Sequence, residues 1–273
     1  MKTIIVATDF SPCALNAANY AVKMALAIDA DVLLLHVYQI PEINLEIPVV
    51  APIENVSLEV EQKLFDLKDN LTKHTCGKVK IETQLSIGTF FPELENICNN
   101  IKPYTVIIGS QGTTALERLL FGGHAVYAMK HLMWPLITVP LNASFSPIKK
   151  IVMTCNLNEV VDTIPREEIK TLITDFKAEL HILVVDKHGV FNPETDYESV
   201  LLLELMTELR PEYHFITNKH IDDAITEFAE KNKIDLLIIL PKRYDLLTRL
   251  IHKSHTRQLV LYSPVPVMAL HQS

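Results

Sequence analysis

The sequence predicts an α/β protein: two similar tandem domains, each a parallel sheet covered by helices. Three observations predict it. Short aliphatic runs alternate with amphipathic helical stretches, the pattern of a parallel sheet covered on both faces. The same order of elements then recurs across the second half. Finally, four of only seven glycines in 273 residues fall within Gly109–Ala125, "GSQGTTALERLLFGGHA", directly after the apolar run Thr105–Ile108.

In the first half, Thr3–Ala7, Val32–Val37, Val106–Ile108 and Leu136–Val139 are β-branched or aliphatic runs of strand length. Ser11-Pro12 is a helix start, with serine as N-cap and proline at the first helical position. Leu15, Ala18, Ala21, Val22 and Ala25 follow at three- and four-residue spacing and form one apolar stripe. The patterns predict further helices over 59–71, 92–101 and 123–132. The segment Pro41–Ser57, "PEINLEIPVVAPIENVS", is proline-rich and apolar and lacks helical periodicity.

The repeat is explicit. Adding 147 sets Ile4-Ile5-Val6 on Ile151-Val152-Met153, and adding 148 sets Val32–Val37 on Leu180–Val185. Adding 131 sets Ile107-Ile108 on Ile238-Ile239, Arg118-Leu119-Leu120 on Arg249-Leu250-Ile251, His124 on His255 and Pro135 on Pro266. The offset falls from 148 to 131, so the second copy lacks 17 residues, and Pro41–Ser57 is the candidate for the missing segment. A repeat of this period predicts two similar domains, 1–143 and 147–273, joined at the "NASFSP" stretch Asn142–Pro147.

Composition narrows the function. The chain is 48% hydrophobic and 21% charged, as in soluble globular proteins, and no apolar run is long enough to cross a bilayer. The N-terminus is too short in apolar residues for a secretory signal, which predicts a cytoplasmic protein. A net charge of −8 argues against a nucleic-acid partner. Cys13, Cys76, Cys98 and Cys155 stand apart without a CxxC pair, so reduced thiols are expected and no metal site.

The clustered glycines are open to two readings. Bare amides after a strand and before a helix form a phosphate cradle, and a helix N-terminus favours an anion. The alternative is a tight turn with a helix stop.

These residues carry a family resemblance over nearly the full length. The opening "IIVATDFS", the spaced loop "IIGSQG" followed after nine residues by "GG", and the closing "WPLITVP" resemble a tandem universal stress protein, two UspA-like domains of the adenine nucleotide alpha hydrolase-like fold. The resemblance implies a stress-response or regulatory protein whose first domain binds an adenine nucleotide, ATP or AMP, with or without Mg²⁺. It implies that Ile108, Gly109, Gly112, Gly122, Gly123 and His124 border the phosphates. Asp9 would face the sugar or a metal-bridged phosphate, Ala7 and Thr8 would line the pocket, and Val37 would meet the base through its backbone. Asp9 as a turn cap and Val37 as sheet core remain open. The resemblance also implies two tandem five-stranded parallel sheets whose closing strands Leu136–Val139 and Val267–Leu270 lie antiparallel, side by side, as a pseudo-dimer within one chain. A homodimer through Pro41–Ser57 and an ordinary loop there stand as equal readings.

The sequence departs from the family pattern at Gly123, where serine or threonine is expected, and Ala125 lacks a further hydroxyl. Each lost neutral hydrogen bond is worth about 0.5–1.5 kcal/mol. The expectation is weakened ATP binding, or preference for fewer phosphates. In the second copy the four glycines become Leu240, Arg243, Lys253 and Ser254, and Asp9 becomes Asn156. That copy is expected not to bind nucleotide in the same way, and its His252 and His255 have no neighbouring carboxylate in sequence to complete a metal set. No GxSxG, Walker or Rossmann motif occurs. No catalytic residue is expected, although His124 leaves open weak hydrolysis or autophosphorylation beside a packing role.

Overall fold

In the computed structural model, residues 1–39, 53–110, 122–155, 164–186, 197–241 and 255–272 are described. Ten strands form one sheet: β1 Lys2–Ala7, β2 Ala30–Tyr38, β3 Ile81–Ile87, β4 Thr105–Gly109, β5 Leu136–Val139, β6 Lys150–Cys155, β7 Glu179–Asp186, β8 Glu212–Thr217, β9 Leu236–Ile239 and β10 Val267–Ala269. Their order is β3-β2-β1-β4-β5-β10-β9-β6-β7-β8. Every neighbouring pair is parallel except β5 and β10, which run antiparallel with Ile137 opposite Met268. The two five-stranded halves thus form one continuous sheet.

The described helices are α1 Pro12–Ile28, α2 Ile53–His74, α3 Phe90–Ile101, α4 Gly122–His131, α5 Arg166–Phe176, α6 Tyr197–Met206, α7 Ile221–Lys231 and α8 His255–Tyr262. α1 begins as its sequence dictates. The Ser11 hydroxyl accepts from the Ala14 N–H at 3.2 Å, and Pro12 occupies the first turn. The alanine-rich stripe of α1 lies flat on the sheet, with Ala17, Ala18, Ala21 and Ala25 buried. Small side chains let helix and sheet approach closely.

Alternating strand residues feed two cores, one on each face. Ile4, Val6, Ile107 and Ile137 join α1, α2, α5 and α6 on one side. Ile5, Val106, Ile108 and Leu136 join α3, α4, α7 and α8 on the other. Both cores contain residues of both halves. The seam adds directed contacts: the Thr138 hydroxyl donates to the Val267 carbonyl at 3.3 Å, and His271 Nε2 donates to the Met129 carbonyl at 3.0 Å. Lys2 and Asp175 form a further ion pair across the halves at 2.5 Å. The stretch between β5 and β6 is pinned as well, with Asp235 accepting from the Lys149 and Lys150 N–H groups.

Two expectations need correction. α2 starts at Ile53, so the end of the segment 41–57 is helical; residues 40–52 lie outside the described part. β10 ends at Ala269, one residue earlier than expected.

Candidate functional site

In the first half β1 has β2 on one side and β4 on the other. The crossover connections therefore leave in opposite directions, and a crevice opens at the carboxyl ends of β1 and β4. A cavity of about 170 Å³ occupies this place. Its walls are Ala7, Thr8 and Asp9 after β1, His36, Val37 and Gln39 at the end of β2, and Ile108 and Gly109 at the end of β4. Ser11 and Ala14 of α1, Phe90 of α3, and His124 and Ala125 of α4 complete it. The N-terminal turns of three helices thus border one hollow, and their aligned peptide dipoles favour an anion there.

The loop after β1 is tightly held. Phe10 is a non-glycine residue at φ 62°, a conformation that costs free energy and needs local compensation. The Thr8 hydroxyl accepts from the Phe10 N–H at 3.0 Å, and Asp9 Oδ1 accepts from the Ser11 N–H at 2.9 Å. Asp9 therefore caps the turn into α1 while standing exposed at the cavity wall. His36 Nδ1 lies 2.7 Å from the Thr8 carbonyl. A carbonyl only accepts, so Nδ1 carries the hydrogen. The His36 ring stacks on Phe10 at 4.9 Å, and Phe90 stacks on His124 at 5.4 Å with 16° between planes.

Of the residues singled out in the sequence, Ala7, Thr8, Asp9, Val37, Ile108, Gly109 and His124 meet at this cavity. Gly122 and Gly123 open α4. Gly112 lies outside the described residues. Gly109 has a reason of its own. A β-carbon there would come within 2.9 Å of the Cys13 carbonyl carbon and 3.0 Å of the Ala14 nitrogen. Its bareness lets α1 pack on β4, whereas a β-carbon at Gly123 would meet nothing within 4 Å. His36, Ser11, Ala14, Gln39 and Phe90 were missed by motif reading. His36 had a usable signal, since it directly precedes Val37 at the carboxyl end of a parallel strand.

The cavity's described walls carry one carboxylate and no lysine or arginine. A larger hollow, about 330 Å³, opens beside Thr3, Asp31, Glu82 and Gln84. Two carboxylates and no cation line it, and it sits away from the switch point, so it is the poorer anion site.

In the second half, Leu240 stands where Gly109 stands in the first and packs partly buried against the core. The counterpart helix α5 begins at Arg166, seven positions later than the offset of 147 from Pro12 would place it, at 159. Asn156, Arg243, His252, Lys253 and Ser254 lie outside the described residues. His255, by contrast, does have a carboxylate beside it: its Nδ1 is 2.7 Å from Asp222 Oδ1. Asp222 is 33 residues upstream, too far for sequence spacing to show. Among the described residues no helix is long and apolar enough to cross a membrane.

Comparison with known proteins places this architecture. The universal stress protein family matches residues 1–140 and 166–271. Universal stress protein MJ0531 of Methanocaldococcus jannaschii is 30% identical over 140 residues, covering 50% of this chain and 81% of that protein. A universal stress protein structure from Archaeoglobus fulgidus DSM 4304 superposes with a TM-score of 0.74 at 16% identity, covering 99% of this chain and 96% of that one. A structure from Pseudomonas aeruginosa UCBPP-PA14 follows at TM-score 0.58 and 13% identity, covering 99% and 93%. Two matched segments, one per half of the sheet, account for most of the sequence: the chain belongs to the universal stress protein family.

Proposed function

We propose that the first half binds an adenine nucleotide, ATP or AMP, in the cavity at the ends of β1, β2 and β4, and that occupancy governs how the protein meets its partners. The observation that carries the reading is the convergence of three helix N-termini on a hollow at the topological switch point. Apolar walls from Ala7, Val37, Ile108 and the Phe90 ring suit a base. The hollow is smaller than the roughly 300–1,000 Å³ usual for small-molecule sites. It suits the base and sugar end, with the phosphates toward the opening of α4. Mg²⁺, where a phosphate tail is long enough to hold it, would meet Asp9, the one carboxylate on the described walls.

The reading is of binding without catalysis. The described walls supply no cation to stabilise a transferring phosphoryl group, and His36 already uses Nδ1 on the Thr8 carbonyl. The tandem halves act as an intramolecular pseudo-dimer in which the second serves as scaffold.

A second reading, an interaction module without ligand, is favoured by Gly109, whose bareness packing against α1 explains. Calorimetric titration with ATP, ADP and AMP separates the two. Binding is expected, and Val37→Trp, which fills the hollow, is expected to weaken it at least tenfold. No heat at millimolar nucleotide removes the first reading.

A further inference from the structure

At the far end of the second half, three potential metal-ligating side chains converge on one face of the sheet. His181 lies on β7, and Glu212 and His214 lie on β8. The parallel register sets His181 opposite Glu212, and His214 is two residues on, so all three point to the same side. His181 Nδ1 is 3.1 Å from His214 Nε2, and each ring nitrogen lies near the carboxylate, at 3.5 Å for His181 and 3.6 Å for His214. Their ligating atoms lie within 4.8 Å of one another, and no other such group of three occurs among the described residues.

The spacing has a chemical meaning. Ligands held at about 2.0–2.1 Å from a tetrahedral zinc ion stand about 3.4 Å apart. The observed separations, those to Glu212 reaching different oxygens of its carboxylate, lie near that value, and an ion at the centre would draw one of those oxygens in toward both rings. Two imidazoles and a carboxylate form a nitrogen-and-oxygen set suited to zinc-like dications, whereas Mg²⁺ and Ca²⁺ prefer oxygen alone. A second observation points the same way. His181 Nε2 is buried without a hydrogen-bond partner, and the Glu179 carboxylate stands 4.0 Å away. Metal-bound histidines characteristically donate their other N–H to a carboxylate. With Nδ1 on a metal, Nε2 would carry the hydrogen and Glu179 would need to close less than about 1.5 Å to accept it.

We propose that His181, Glu212 and His214 form a binding site for a zinc-class divalent cation, with a solvent position completing the coordination. Glu212 is exposed and His181 buried, so the ion sits at the sheet rim. Since β8 is the outermost strand of its half, the ion clips that edge to β7.

The test uses the whole chain stripped with chelator and titrated with ZnCl₂, with MgCl₂ in parallel. One Zn²⁺ per chain is expected, with a rise in thermal midpoint and no response to Mg²⁺. Co²⁺ in place of Zn²⁺ should give a visible absorption band of low-coordinate histidine ligation. Glu212→Gln and His214→Ala should each weaken zinc binding at least tenfold. His214 packs on Phe228, so the exposed Glu212→Gln decides the matter if His214→Ala unfolds. Absence of stoichiometric binding at micromolar zinc, or affinity undiminished in Glu212→Gln, overturns the proposal.

Discussion

Gly109 and Cys13 touch across the interface of β4 and α1, so closely that a β-carbon on residue 109 would lie 2.9 Å from both the carbonyl carbon and the sulfur of Cys13. The obstacle includes backbone, which cannot rotate away, and Cys13 Sγ is itself 3.5 Å from the Val139 carbonyl. Gly109→Ala must therefore lift the first turn of α1. A loss of about 1–3 kcal/mol is expected from this overpacking. Urea denaturation measures it, and an unchanged midpoint would contradict the contact.

Gly123→Ser should act in the opposite sense at the cavity. The position opens α4, is exposed, and leaves space for a side chain. A hydroxyl there restores the donor expected in the family's loop. A hydrogen bond to a charged group contributes about 1.5–3 kcal/mol, which corresponds to roughly 10–100-fold tighter ATP binding. Calorimetry on wild type and variant reads the ratio; equal affinities would separate this residue from the phosphates.

The cysteines should label in a fixed order. Cys76 is exposed, while Cys13, Cys98 and Cys155 are buried. Burial, with a smaller contribution from Glu95, pushes the Cys98 thiol up to about 12. The thiolate is the reactive form, so Cys98 stays inert at pH 8. Alkylation followed by mass spectrometry should modify Cys76 first, with Cys98 reacting only after denaturant is added.

Both halves should unfold together. The sheet runs unbroken through β5 and β10, and each core draws on both halves. Trp134 is the single tryptophan, and its Nε1 donates to Asn99 in the first half. Its fluorescence reports one half and far-ultraviolet dichroism reports the whole. Coincident urea transitions are expected. Separated midpoints would show that the halves melt independently.

The interior of the fold was legible because buried parallel strands are written as unbroken aliphatic runs. Thr3–Ala7 and Leu136–Val139 are examples. The outer strands β3 and β8 escaped notice for the complementary reason. "IETQLSI" and "EYHFIT" mix polar with apolar residues because solvent reaches them. Much of the cavity wall was legible too, through Asp9 and the strand ends. The packing reason for Gly109 was not, since it depends on where Cys13 lands. The histidine cluster was hidden entirely, as His181 and His214 meet only through the register of two strands 33 residues apart in sequence.

The antiparallel seam also bears on how the two halves can change over generations. Separate subunits joined this way would exchange partners, and every copy would have to keep all of its duties. Here a covalent tether of about ten residues, 140–149, holds one particular mate in place. A leucine at 240 can then stand where the other half keeps glycine at 109, and divergence can run unequally along a single polypeptide.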